Sequence, residues 1–242
     1  MHASNKPYAP TPATFALLSG YGEAVAAMWA GALGHTVRCV PTRRTVVVAV
    51  AGGWLFGKWR RGRERDAAAE WRWLHMLPLL GIHAAAPVAW VGDRRRSLLV
   101  TAGLPGRSLD AWAVDAARGG WLPQLVAWAC SDVAPVVRRL HDQGLVYRDL
   151  YWNHVMATDP RLGGEPRFLD VERVFEPRWR KRRWIVKDLA GLWASVPIAL
   201  PERCGLRFLR HYLGLPLRAH RRLILAIAAK ARRIRQHVPR YG

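Results

Sequence analysis

The sequence predicts a bilobal α+β fold, with a small antiparallel sheet and one helix followed by a mainly helical half. Two patterns in the 242 residues point to it. Short β-branched and aromatic runs alternate with turn residues in the first half, which is typical of hairpin strands. Apolar residues recur every three or four positions in the second half, which is typical of helices. The change lies near 103–106. We therefore expect a tail with a short helix over 1–34, a first lobe over 35–104 and a second lobe over 105–242.

Five strands and one helix are predicted in the first lobe. The strands are His35–Val40, Thr45–Ala51, Trp54–Trp59, Val88–Val91 and Ser97–Thr101. Turns are expected at Pro41–Arg44 and at Gly52–Gly53, because glycine pairs and proline favour tight connections. The helix runs over Asp66–Leu77, and Pro78 is expected to stop it.

The second lobe begins with a long predicted helix over Trp121–His141, bent at Pro135 because proline cannot donate a backbone hydrogen bond. Short strands follow around Val155 and over Arg167–Asp170. The remaining helices are predicted at Val186–Ser195, Glu202–Leu213 and Leu217–Gln236.

The charge balance favours anionic partners. Lys and Arg number 38 against 17 Asp and Glu, which gives a net charge of +21. Such a field suits nucleic acid, an acidic membrane surface or phosphorylated substrates. The three cysteines form no CxxC pair, which argues against a disulfide framework or a zinc site. No apolar run reaches the roughly 18 residues of a membrane span. We expect a cytoplasmic or peripheral protein.

The stretch from Leu140 to His154 carries the chemistry. It contains Asp149, and Asp170 follows 16 residues after His154. Phosphoryl transfer needs one carboxylate to meet the attacking hydroxyl and a second to hold the metal on the nucleotide phosphates. A loop aspartate followed by a second aspartate after a hairpin-length gap is suited to these two tasks.

These motifs resemble the catalytic loop and metal-binding segment of the protein-kinase-like superfamily, written HRDLxxxxN and DFG. The closer resemblance is to the lipopolysaccharide core kinases, the Kdo/heptose kinase family. Its HRDLY pattern, with histidine five residues after the aspartate, matches Tyr147–Tyr151 and His154. Its IDL.R, KDLA.L and FL..Y elements match Leu169–Arg173, Lys187–Leu192 and Phe208–Tyr212. The resemblance implies a protein-kinase-like fold and the use of ATP and Mg²⁺.

The resemblance also implies roles for Asp149, Asp170 and His154. Asp149 would accept or orient the proton of the acceptor hydroxyl, and Asp170 would bind Mg²⁺. His154 would stand at the second metal position. Asn153 is the alternative there, because oxygen atoms are better ligands for magnesium than imidazole is.

Nucleotide contacts are expected in the first lobe. Lys58 ends a strand, and Glu70 lies twelve residues later in the next helix, as in the superfamily's strand-to-helix ion pair. No glycine-rich GxGxxG loop precedes Lys58. Thr42 and Arg43 in the turn before it would contact the phosphates instead, unless that turn is an ordinary basic hairpin.

Two residues are expected to support the loop. Arg148 occupies the arginine position of the HRDL-like motif. Asp188 resembles the helix aspartate that hydrogen-bonds the backbone of this loop. Tyr147 replaces the usual loop histidine, so the packing around the loop differs from the superfamily pattern.

The expected function is ATP-dependent phosphorylation of a sugar hydroxyl in the lipopolysaccharide inner core. The basic, tryptophan-flanked segment 178–184 would suit an anionic glycolipid or sugar acceptor. The last helix carries basic residues along one side, which suits binding to an anionic membrane surface. The expected location is the cytoplasmic side of the inner membrane. A solvated arginine face is the plainer interpretation of that helix.

Three alternatives remain. One is a protein Ser/Thr kinase, which the absence of Ser and Thr from 175–192 disfavours. Another small-molecule kinase of the same fold is the second. The third is a pseudokinase or a basic anion-binding protein. A dead fold should have lost Lys58, Asp149 or Asp170, and no nucleic-acid-binding motif is present, so no specific nucleic acid is predicted.

Overall fold

The computed structural model describes residues 20–62, 66–214 and 216–236. The chain divides into two compact units. The first, the sheet unit, lies within Met1–Leu77 and Ala85–Leu104. The second, the helical unit, lies within Pro78–Ala84 and Pro105–Gly242.

The sheet unit contains the five predicted strands in one antiparallel sheet. The strands are β1 His35–Val40, β2 Arg43–Val50, β3 Gly53–Arg61, β4 Pro87–Gly92 and β5 Arg96–Ala102. Their order is β1-β2-β3-β5-β4, which makes β3 the central strand. In β3, Lys58 pairs with Thr45 on one side and Leu99 on the other. Pairing with strands on both sides therefore fixes the backbone position of Lys58.

Helix α1, Gly22–Ala30, packs on this sheet. Its Val25 and Met28 are fully buried in the same apolar cluster as Leu55 of β3 and Leu98 of β5. Helix α2, Ala68–Leu79, follows β3. Such burial of aliphatic side chains is the main favourable term in folding.

Helix α2 extends past the residue at which it was predicted to stop. Pro78 lies inside its last turn rather than beyond its end. A proline there removes the N–H that would bond the carbonyl of Leu74, so the loss is one backbone hydrogen bond, one residue before the helix ends.

The helical unit contains six helices and a small sheet among the described residues. The helices are α3 Leu109–Arg118, α4 Leu122–Trp128, α5 Ala134–Asp142, α6 Lys181–Ala194, α7 Glu202–Leu213 and α8 Arg221–Gln236. The sheet has the order β6-β7-β8, with β6 Arg107–Ser108, β7 Val155–Ala157 and β8 Arg167–Phe168. Helix α3 was not predicted. No helix in the described part of the chain has both the length and the apolar character needed to cross a bilayer.

The long helix predicted over Trp121–His141 is interrupted by a π-helical segment at Ala129–Val133, not simply bent at Pro135. The N–H of Ala134 bonds the carbonyl of Ala129, five residues back. Pro135 lies at the start of α5. Its missing N–H is tolerated there because the preceding turn has already left the α-helical hydrogen-bond pattern.

Gly106 makes a close backbone approach that only glycine allows. Its φ is +87°, and a Cβ placed there would lie 2.0 Å from the carbonyl oxygen of Ala157. We expect Gly106→Ala to destabilise the protein by about 3 kcal/mol, because the new methyl group meets rigid backbone. Thermal unfolding of the variant measures this loss.

Gly120→Ala is the matched control for that substitution. Gly120 also has a positive φ, +72°, but a Cβ there meets nothing within 4 Å. Its melting temperature therefore reports the backbone strain alone. Equal losses in the two variants would show that the contact between Gly106 and Ala157 contributes nothing.

Candidate active site

The loop before Asp149 is held by a buried carboxylate. Asp188, on α6, accepts the N–H of Tyr147 at 2.6 Å and the N–H of Arg148 at 2.7 Å. Arg148 has a φ of +74°, a left-handed conformation that is strained for a non-glycine residue. The two hydrogen bonds to one fully buried side chain stabilise this conformation.

A histidine and a tyrosine support Asp188 from behind. The Tyr212 hydroxyl lies 2.7 Å from His141 Nδ1, and His141 Nε2 lies 3.3 Å from Asp188 Oδ2. Burial raises the pKa of Tyr212. Because a carboxylate only accepts, the ring N–H lies at Nε2 facing Asp188, and the Tyr212 hydroxyl donates to Nδ1. All three side chains are buried, so the carboxylate that holds the loop is itself fixed.

The Asp149 carboxylate is held by two cations. Arg173 Nη1 donates to both of its oxygens, at 3.1 and 2.8 Å. Lys187 Nζ lies 3.5 Å from Asp149 Oδ1. Neither cation was predicted as a site residue, although both lie in motifs quoted for the family resemblance. In the sequence, Arg173 lies near Asp170 and Lys187 lies next to Asp188. The sequence does not show that either cation contacts Asp149.

The segment that leads to Asp170 is attached to the same loop. The hydroxyl of Tyr147 donates to the carbonyl of Leu169, and the N–H of Leu169 donates to the carbonyl of His154 at 2.9 Å. Asp170 then adopts a left-handed conformation with φ +57°. One of its carboxylate oxygens lies within 4.8 Å of one from Glu172. Tyr147, which replaces the usual loop histidine, thus links the loop to the segment that carries Asp170.

His154 is tied to the loop through one ring nitrogen. Its Nδ1 lies 2.8 Å from the carbonyl oxygen of Asp149. A carbonyl accepts only, so Nδ1 carries a proton, and Nε2 is the ring nitrogen not used in this bond. Asn153, the alternative at this position, is exposed.

In the sheet unit, Lys58 and Glu70 are brought together as the spacing suggested. Lys58 Nζ donates to Glu70 Oε1 at 2.6 Å. Arg60 donates to the other oxygen, Oε2, and was missed in the sequence. Side chains two residues apart on a strand lie on the same face of the sheet. This alternation could have predicted that Arg60 lies beside Lys58 and contacts the same glutamate. Both Glu70 and Arg60 are buried, with exposed fractions of 1% and 2%.

Comparisons with known proteins agree with this arrangement. The family model "Lipopolysaccharide kinase (Kdo/WaaP) family" matches residues 55–212, which is more than half of the chain. The protein belongs to this lipopolysaccharide kinase family. Its predicted family membership is thereby confirmed, and the WaaP kinases described next confirm the predicted phosphotransferase class.

Individual relatives match nearly the whole length of this kinase. The lipopolysaccharide core heptose(I) kinase WaaP of Escherichia coli K12 is 28% identical over 86% of this chain and 90% of its own. The enzyme of the same name from Pseudomonas aeruginosa is 30% identical over 86% and 89%.

Solved structures agree on the fold. A structure of WaaP in complex with acyl carrier protein has a TM-score of 0.68 and 27% identity, and covers 84% of this chain and 89% of that one. An aminoglycoside phosphotransferase from Streptomyces rimosus has a TM-score of 0.60 at 16% identity, covering 88% and 98%. The predicted α+β, protein-kinase-like fold is confirmed.

The turn before Lys58 in this kinase is shorter than predicted. It comprises Pro41 and Thr42 only, because Arg43 already belongs to β2 and pairs with Val40 and Arg60. Thr42 and Arg43 both line a concavity of about 370 Å³ in the sheet unit. Trp59 and Arg61 also line it, whereas Lys58 is not among its lining residues. A hydroxyl and a guanidinium are groups that bind phosphate.

Proposed function

We propose that this lipopolysaccharide kinase transfers the γ-phosphoryl group of ATP to a heptose hydroxyl of the lipopolysaccharide inner core. The choice of a heptose as the acceptor rests on the heptose(I) kinases that match 86% of this chain. The single structural observation that supports the chemistry is the Asp149 carboxylate on a loop whose backbone Asp188 holds by two hydrogen bonds. Phosphoryl transfer depends on such positioning, because the protein performs little covalent chemistry itself.

Asp149 is the proposed catalytic residue. The acceptor hydroxyl gives its proton to this carboxylate, and its oxygen forms a bond to the γ-phosphorus. The bond from that phosphorus to the β–γ bridging oxygen breaks, and ADP leaves. Arg173 donates to both oxygens of that carboxylate and so limits its rotation.

The residues around Asp170 fit a magnesium ion. Carboxylate oxygens are preferred ligands for this hard cation, and Asp170 has a second carboxylate, Glu172, nearby. His154 offers Nε2, since its Nδ1 is bonded to the loop, and Asn153 remains the alternative. Mg²⁺, when bound, neutralises charge on the β- and γ-phosphates.

Nucleotide binding is assigned to the sheet unit. Lys58 is the proposed contact to the α- and β-phosphates, and Glu70 holds its ammonium in place. Thr42 and Arg43 are proposed to contact phosphate oxygens from the turn between β1 and β2 and from the start of β2.

The acceptor and the membrane are assigned to basic surfaces of the helical unit. Trp179 is 71% exposed, and the guanidinium of Arg180 stacks on its ring at 4.9 Å. Helix α8 buries Ile227 and Ala231 and exposes arginines on its other face. These surfaces suit an anionic glycolipid and the anionic cytoplasmic leaflet of the inner membrane. Sedimentation with anionic vesicles but not with neutral ones is the expected behaviour, and equal sedimentation with both would contradict it.

An acceptor panel tests the proposed function. The full-length protein is incubated with labelled ATP and Mg²⁺, and with heptose-bearing inner-core glycolipid, free heptose or a general protein substrate. We expect label in the glycolipid, at least tenfold above the protein substrate. Label in the protein substrate alone would instead support the Ser/Thr kinase alternative.

The metal assignment predicts the behaviour of His154→Ala. We expect the Mg²⁺ concentration for half-maximal activity to rise about tenfold, with activity recovered at saturating Mg²⁺, because losing one contact to a bound ion weakens it without removing Asp170. A magnesium titration of initial rates measures this. His75→Ala is the control, because His75 Nδ1 also bonds a backbone carbonyl, that of Trp71, at 2.8 Å. An unchanged titration of His154→Ala would remove this residue from the metal site.

A further inference from the structure

Lys187 contacts both the Asp149 carboxylate and the backbone that carries it. Its Nζ lies 3.5 Å from Asp149 Oδ1 and donates to the carbonyl of Arg148. It comes directly before Asp188 on α6, and Asp188 holds the N–H of the same Arg148. The left-handed residue before Asp149 is therefore held on its N–H side and its carbonyl side by consecutive residues of one helix.

Lys187 lies on a helix that packs directly against the catalytic loop. Helix α6 packs closely on the loop at Gly191, where an added Cβ would lie 2.9 Å from the carbonyl oxygen of Leu150. The Lys187 side chain is 26% exposed, so most of it is buried against protein. Arg173, the other cation on Asp149, is 45% exposed and reaches from a short 3₁₀ turn. Of the two cations, Lys187 is the one with a rigid base and a second anchor.

From this geometry we infer that Lys187 is a positioning residue of the phosphoryl-transfer reaction. Its ammonium fixes the Asp149 carboxylate and the preceding peptide in the orientation in which that carboxylate meets the acceptor hydroxyl. The inference rests on the proposed role of Asp149. Misplacing a reacting group by about 1 Å lowers the rate roughly 10²-fold, so a residue of this kind affects turnover without touching the substrate.

The pKa of Lys187 depends on burial and on the charged groups around it, including Asp149. Burial lowers the pKa of Lys187, the carboxylates of Asp149 and Asp188 oppose that shift, and the guanidiniums of Arg173 and Arg148 add to it. The ammonium form is therefore lost at a lower pH than for an exposed lysine. If that form orients Asp149, turnover should fall as the pH rises through this lowered pKa.

A double-mutant cycle separates positioning from a general structural role. Lys187→Met is expected to lower kcat about 10²-fold and to change KM for ATP less than threefold. In the Asp149→Asn background the same substitution should change the residual kcat less than threefold, because the group that Lys187 orients is already absent. Equal losses in both backgrounds would overturn the inference, as would full activity of Lys187→Met.

The conservative variant covers the case in which Lys187→Met does not fold. Lys187→Arg keeps the positive charge to higher pH, and we expect it to retain kcat within about tenfold of the wild type. Its alkaline fall in kcat should move to higher pH. An alkaline limb identical to that of the wild type would overturn the inference, since the loss of activity would then belong to another group.

The experiment also distinguishes this inference from the proposed function. Arg161→Met removes an exposed surface cation that pairs with Asp159, and it should leave kcat unchanged. Wild-type activity in Asp149→Asn would refute the proposed role of Asp149 itself. An inactive Asp149→Asn with a fully active Lys187→Met, measured in the same assay with labelled ATP and glycolipid, would refute only the role of Lys187.

Discussion

The Asp149→Asn variant is expected to lose about 10³-fold in kcat while its KM for ATP stays within about threefold of the wild type. The carboxamide has nearly the same shape as the carboxylate but cannot take the proton of the acceptor hydroxyl. General-base contributions of 10²–10⁴-fold are typical for a positioned side chain. Initial rates with labelled ATP and the glycolipid acceptor measure the loss.

The fold should survive this substitution. The backbone before Asp149 is held by Asp188 and Lys187 through main-chain groups, so these bonds remain when the carboxylate is replaced. The melting temperature should therefore change by only a few degrees. A variant that loses activity because it unfolds would not support the catalytic role.

Asp159→Asn is the matched control. Asp159 is also an aspartate paired with an arginine, since Arg161 Nη2 lies 2.7 Å from it, but it lies in a surface loop outside the proposed site. Its substitution should leave kcat unchanged. Comparable turnover in Asp149→Asn and the wild type would contradict the proposed mechanism directly.

Local patterns were enough to predict most of the sheet unit. The Gly52–Gly53 turn and the valine-rich strand before it determine the hairpin of β2 and β3, and this hairpin places Lys58 at the centre of the sheet. The spacing of twelve residues to Glu70 then follows from a strand end, a connection and the first turn of a helix. These are short-range features, which a sequence states directly.

The second half was harder to predict because its details depend on packing. Helix α3 was not predicted, although Ser108 at its N-cap position and Asp110 in its first turn are signals for the start of a helix. The π-helical segment before Pro135 depends on how the surrounding helices pack, not only on the proline. Propensity alone does not decide such cases.

The candidate site shows the same division. The aspartates at 149, 170 and 188 were evident from motifs, because each motif keeps its spacing along the chain. The contacts of Arg173 and Lys187 with Asp149 span 24 and 38 residues, and only the folded backbone brings them together. Tyr147 could be recognised as a substitution, but its bond to the Leu169 carbonyl needs the return of β8 beside the loop.

The second large effect is expected at Glu70, whose loss should reduce both stability and nucleotide binding. Glu70→Gln keeps the shape of the side chain but removes the charge shared by Lys58 and Arg60. The Arg60 side chain is 3% exposed and cannot turn to solvent without opening the sheet unit. Breaking a buried ion pair by removing one partner typically costs about 3–5 kcal/mol.

Two measurements separate the effects of Glu70→Gln. Denaturant unfolding should report the stability loss, and kcat/KM for ATP should fall about 10²-fold because Lys58 no longer has a carboxylate to hold its ammonium. Lys58→Met should reproduce most of the second effect with little of the first. The reason is that Lys58 is 27% exposed, so its pairing energy is partly screened by solvent.

A double variant tests whether the buried charges serve function and not stability. Replacing a buried pair by apolar residues of similar volume is often neutral or stabilising, so Arg60→Met with Glu70→Met should unfold at higher denaturant concentration than Glu70→Gln. Its kcat/KM for ATP should stay as low as that of Glu70→Gln, because Lys58 is still without its partner. Recovery of activity together with stability would mean that the carboxylate of Glu70 does not position Lys58, and that the ion pair is only part of the packing.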